Sequence, residues 1–99
     1  MPIRIQRKRT KGWKMPAGAV YVGRPAMFQN RYKIGTHSNW LGRAVETQQE
    51  AVDCFRAVIM EPEHMRAYAR ERLRGKDLAC WCELSAPCHA DVLLEIAND

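Results

Sequence analysis

The sequence predicts a small α/β domain: a mostly parallel sheet of three to four strands with about three helices. Three observations carry this expectation. Strand-like runs at residues 2–7 and 19–22 come early, the unbroken apolar run Leu78-Ala79-Cys80-Trp81-Cys82 comes late, and helical periodicity fills much of the interval between them. A strand that returns to its sheet through helices pairs in parallel by a right-handed crossover. A length of 99 residues accommodates one hydrophobic core, so residues 1–99 are read as a single domain with a basic N-terminal segment over about residues 1–16.

The elements follow in order. Pro2-Ile3-Arg4-Ile5-Gln6-Arg7 alternates apolar and polar residues, as an edge strand does. The stretch from Arg7 to Pro16 has no period and reads as a basic loop. Ala19-Val20-Tyr21-Val22 is β-branched and aromatic, and Gly23 and Pro25 end it. From Gly23 to Glu46 the chain is rich in Gly, Asn, Arg and aromatics, with at most a short strand at Tyr32-Lys33-Ile34; a loop this long is usually functional or disordered. Thr47 and Glu50 have capping-box spacing, and Ala51, Cys54, Phe55, Val58 and Ile59 recur at helical intervals, which predicts a helix ending near Met60. Pro62 restarts a helix whose apolar stripe is Met65, Tyr68, Ala69 and Leu73, and Gly75 closes it. The run at 78–82 fits the middle of the sheet. Pro87 is placed in the first turn of a last helix that buries Val92, Leu93 and Ile96.

Charge is divided along the chain. Residues 1–43 hold ten basic side chains and no acidic one, whereas residues 44–99 hold six basic and eleven acidic, so the net +5 is a difference between unlike halves. A basic face gathers phosphate-bearing partners, although a short basic arm also serves solubility alone. No run of eighteen apolar residues is present and the basic start lacks a signal-like apolar stretch, so a cytoplasmic setting without membrane association is expected. The four cysteines are accordingly read as thiols or metal ligands rather than disulfides.

Chemistry-bearing residues concentrate in Leu78 to Glu95. Alternation along a strand sends Cys80 and Cys82 to one face and Trp81 to the other. Cys88 and His89 follow at a helix start, where free amides and the helix dipole favour a thiolate or an anion. Cys80, Cys82, Cys88 and His89 form a donor set suited to tetrahedral zinc. The spacing differs from paired two-residue knuckles, and adjacent helical residues diverge by about 100°, so Cys88 and His89 would need a distorted turn to share an ion. Buried thiols with no further role, a nucleophilic Cys88 or Cys82 with His89 as base, and a zinc site all remain open. Cys54, on an apolar helical stripe, is read as structural, and His37 and His64 as solvated.

Ligands of open α/β sheets lie beyond the carboxyl ends of parallel strands. That rule brings Gly23-Arg24 and Cys82-Glu83 to one rim beside Cys88 and His89. Arg24 and Arg31 would grip phosphate oxygens, Asn30 would hydrogen-bond a base or sugar, and Phe28, Tyr32 and Trp40 offer stacking planes, at least one of which is expected to cap the core instead.

Val20-Tyr21-Val22-Gly23-Arg24-Pro25, Leu73-Arg74-Gly75-Lys76-Asp77-Leu78-Ala79-Cys80-Trp81-Cys82 and Pro87-Cys88-His89-Ala90-Asp91-Val92-Leu93 together resemble domain of unknown function 4326. The resemblance covers nearly the whole chain and implies a small α/β fold and a phage or prophage setting, hence the host cytoplasm; it implies no activity. A Trp-Gly-Asn-Pro-aromatic motif common in that family is represented here by Phe28-Gln29-Asn30-Arg31-Tyr32. Three functional expectations follow. The first is a domain binding a nucleotide or nucleic acid through Arg24, Asn30, Arg31, Cys88 and His89. The second is a cysteine-dependent nucleotide-modifying enzyme. The third is a zinc-stabilised module that docks on a host protein through its acidic, helical second half.

Overall fold

The computed structural model describes residues 2–24 and 26–99; Met1 and Pro25, the latter expected to end the second strand, lie outside the described residues. Strand β1 (Arg4–Gln6) and strand β2 (Val20–Tyr21) flank strand β5 (Leu78–Cys80), and both pairings are parallel. The register sets Ile5 and Tyr21 beside Ala79, and the ladder extends past the strand ends through Arg7 N–H to the Cys80 carbonyl (2.7 Å) and Val22 N–H to the Ala79 carbonyl (2.9 Å). The late apolar run supplies the central strand over Leu78–Cys80, which is buried at every position, whereas Trp81 and Cys82 lie beyond the strand and Trp81 is exposed.

Strands β3 (His37–Ser38) and β4 (Arg43–Ala44) form a separate antiparallel pair inside the long loop. The strand expected at Tyr32 to Ile34 is not formed; pairing begins three residues further on, where Gly42 at φ 77° turns the chain back. Helix α1 (Gln48–Cys54) starts at Thr47, whose side chain accepts the Glu50 N–H at 3.1 Å, and continues as a π-helix over Phe55–Ile59. The wider turn closes with the Met60 N–H on the Phe55 carbonyl at 3.0 Å. Two core side chains five residues apart, Phe55 and Met60, are thereby brought closer to one face and are both buried, whereas α-helical winding would set them about 140° apart.

Helix α2 (Glu63–Leu73) begins after Pro62, and the chain leaves it through Gly75 at φ 77°. Helix α3 (His89–Ala97) packs against α2 and β5. Its start differs from the expectation. Cys88 is the N-cap in an extended conformation (φ −149°, ψ 143°), so Pro87 lies before the helix rather than in its first turn. The main core joins Val22, Leu78 and Cys80 from one sheet face with Phe55, Leu73, Val92 and Leu93 from the helices. By alternation Ile5, Tyr21 and Ala79 belong to the opposite face. No helix is long and apolar enough to cross a membrane among the described residues.

Candidate functional site

The β5–α3 connection brings Cys80, Cys82 and Cys88 into one cluster. Cys80 leaves the central strand toward the helices, Cys82 follows two residues later on the same side, and the N-cap geometry of Cys88 turns its sulfur back toward them. Their sulfurs all lie within 4.8 Å of one another, with Cys80 and Cys88 3.1 Å apart. All four cysteines are free thiols. Cys88 is the most acidic of the cluster: hydrogen bonds from the Cys80 and Cys82 thiols favour its anion, aided by His89 and the Ala90 amide. The Cys80 thiol is pushed up in turn by its hydrogen bonds to Cys82 and Cys88 and by burial. Within the cluster an anion is therefore favoured at Cys88, at the helix terminus, where the dipole acts in the same direction.

Three soft sulfurs in such a cluster could hold a metal ion. Tetrahedral zinc–thiolate bonds of about 2.3 Å put neighbouring sulfurs about 3.8 Å apart, so the Cys80–Cys88 pair would open by about 0.7 Å to admit the ion. His89 touches the cluster through Nδ1, 3.8 Å from the Cys88 sulfur. Its other nitrogen, Nε2, lies 2.8 Å from the Val22 carbonyl. A carbonyl only accepts, so Nε2 carries a proton and donates it to Val22. The ring also meets Phe55 edge-on, with centroids 5.1 Å apart. His89 thus links the start of α3 to the end of β2.

That link places Arg24 and His89 on a common rim. A cavity of about 390 Å³ opens at the carboxyl ends of the parallel strands, and Gly23, Arg24, Asn30, Cys80, Cys82 and His89 all line it. Tyr21, Tyr32, Lys33, Gln48 and Trp81 complete its wall, which holds no carboxylate side chain among the described residues. A Cβ at Gly23 would lie 2.5 Å from the Tyr21 hydroxyl, which crosses over it to donate to the Arg24 carbonyl at 2.6 Å, so a larger residue would have to displace the tyrosine ring.

Several expected residues stand elsewhere. Cys88 is fully buried beneath the rim and faces a separate groove beside Arg4 and Asp91. Arg31 lines a neighbouring groove with Met27 and Met65, and Lys33 supplies the second cation of the cavity. Asn30 is engaged by the fold itself: it donates to the Ala51 carbonyl (3.0 Å) and accepts from the Tyr32 N–H (2.9 Å). Of the proposed stacking planes, Phe28 is buried against Tyr68 and Trp40 is exposed away from the cavity, which leaves Tyr32. Cys54 is buried and donates to the Ser38 hydroxyl. His37 and His64 are exposed.

Tyr21 and Trp81 were not singled out by sequence reading. The signal for Trp81 was its alternation with the two cysteines, which sends it to the face shared by Tyr21 and, in register across the sheet, Arg7. Residues 5–99 match the model of a family described as Domain of unknown function (DUF4326), and the chain belongs to that family. No curated protein and no solved structure matches it.

Proposed function

We propose that this DUF4326 member binds a phosphate-bearing ligand, a nucleotide or a segment of nucleic acid, in the cavity at the carboxyl edge of its parallel sheet. One observation carries the reading: the cavity joins two cations, Arg24 and Lys33, to three aromatic side chains, Tyr21, Tyr32 and Trp81, with no acidic group in its wall among the described residues. Cations supply phosphate grip and aromatic faces supply base stacking, the two interactions a nucleotide offers. Its volume falls within the usual range of small-ligand sites. A fluorescence titration at low salt with mononucleotides and oligonucleotides tests it. Binding that weakens about tenfold or more in Arg24→Ala and in Lys33→Ala is the expected result; no association with any of them ends the proposal.

A second reading rests on the three-sulfur cluster, which suits zinc as a structural ion holding the β5–α3 connection. Stoichiometric zinc in protein prepared without chelators supports it, and metal-free protein of unchanged stability removes it. The enzyme alternative is less favoured. Cys82 and Cys80 reach the cavity wall, whereas Cys88, the sulfur most readily ionised, does not.

A further inference from the structure

Outside the cavity, four side chains from three parts of the chain form a layered cation–aromatic stack. The Arg7 guanidinium carbon lies 4.6 Å from the ring centroids of both Tyr21 and Trp81, and that of Arg9 lies 4.7 Å from Trp81. The register explains the assembly: Arg7 and Trp81 directly follow the paired residues Gln6 and Cys80 on adjacent strands, and Tyr21 shares their face from the other edge.

Several arginines elsewhere are neutralised locally: Arg43, Arg56, Arg66 and Arg70 each pair with a glutamate, and Arg4 lies against Asp91. Arg7 and Arg9 have no carboxylate partner among the described residues, and Arg7 Nε is buried without a hydrogen bond there. Lys8, Lys11 and Lys14 extend the same exposed basic segment. Guanidinium groups held against rings have already lost most of their rotamer freedom, so an anion that engages them incurs less ordering cost.

Tyr21 and Trp81 belong both to this stack and to the cavity wall, so the two regions share a boundary. We propose that the ligand is single-stranded nucleic acid: one nucleotide seats in the cavity, and Arg7 and Arg9 hold the phosphates of its neighbours along the strand. The inference rests on the cavity reading given above and extends it from a mononucleotide to a polymer. A single strand is favoured because its bases are free to enter a pocket, whereas a duplex keeps its bases paired.

The test compares a mononucleotide, a labelled single-stranded 12-mer of DNA or RNA, the corresponding duplex, and phosphatidylserine-containing vesicles across a salt series. The native protein is expected to bind the single strand more tightly than the mononucleotide or the duplex. Arg9→Gln, at an exposed position, should reduce the salt slope of single-strand binding by about 0.7 and leave mononucleotide binding unchanged. Trp81→Ala, which removes the ring that orders Arg7 and Arg9, should weaken single-strand binding on the order of tenfold, with far-ultraviolet circular dichroism confirming the fold. An oligonucleotide bound no better than a mononucleotide, or a salt slope untouched by Arg9→Gln, overturns the inference while the cavity reading stands. Equal binding of duplex, or of vesicles with the same Arg9 dependence, overturns it as well. If neither mononucleotide nor oligonucleotide binds, both readings fall together.

Discussion

Replacing His89 with leucine isolates the hydrogen bond that joins α3 to the end of β2. Leucine keeps the buried bulk but cannot donate, and among the described residues the Val22 carbonyl has no other donor. A buried carbonyl left unpaired costs about 1–3 kcal/mol, and loss of the edge contact with Phe55 adds about 0.5–1.5 kcal/mol. The more apolar leucine returns about 1 kcal/mol through burial, which leaves a net destabilisation of about 2 kcal/mol. For a domain of this size that lowers Tm by roughly 8–16 °C. Urea unfolding followed by tryptophan fluorescence measures the change directly, with an unchanged m-value as the sign that the folded state keeps its compactness. A loss below about 0.5 kcal/mol would refute the reasoning, because it would mean that the Val22 carbonyl finds water or another donor and that His89 is not the link between these elements.

The Arg43 hydrogen bond, supported by the Glu46 amide, holds the Glu50 carboxyl down to about 2. Folding therefore favours ionised Glu50; its stabilisation is complete above the ordinary carboxylate range and disappears as pH falls from about 4.5 toward 2. Urea midpoints measured across that window should fall less steeply in Glu50→Gln, and an identical decline in the variant contradicts the assignment. The Arg4 side chain is 7% exposed and donates to the Glu83 (3.1 Å) and Leu84 carbonyls, so Arg4→Met should destabilise the domain by about 2 kcal/mol and accelerate amide exchange across residues 83–88. Gly75→Ala, with open space around the added Cβ but φ at 77°, should cost about 1 kcal/mol by thermal melting. On the zinc reading, Cys82→Ser lowers bound metal below one ion per chain and removes the thiolate-to-cobalt absorption of the cobalt-substituted protein; full retention of both places the ion elsewhere.

The elements most legible in the sequence were those with strong local chemistry. Thr47 and Glu50 announced α1, Pro62 and Gly75 bracketed α2, and the apolar run at 78–82 identified the central strand, although pairing stops at Cys80. The π-helical turn at 55–59 was not legible, because its apolar spacing also fits an α-helix and the choice is made by core packing around Phe55 and Met60. The pair at His37–Ser38 and Arg43–Ala44 was missed because two-residue strands are too short to have a period. At the site, the topology rule sufficed to bring Arg24 and His89 together. It could not separate Arg31 from Lys33, since which loop residue faces the cavity depends on the turn that Asn30 stabilises at Tyr32. Arg7 and Trp81 were readable singly, but their meeting required the register of β1 on β5.

The strand order also has a consequence for biosynthesis. Both outer strands lie in the first quarter of the polypeptide, and their sole shared neighbour is translated more than fifty residues afterwards. A nascent chain emerging from the ribosome therefore exposes a polycationic segment with nothing to pair against until the acidic remainder has been made. Assembly of the sheet is thus deferred until β5 has been made.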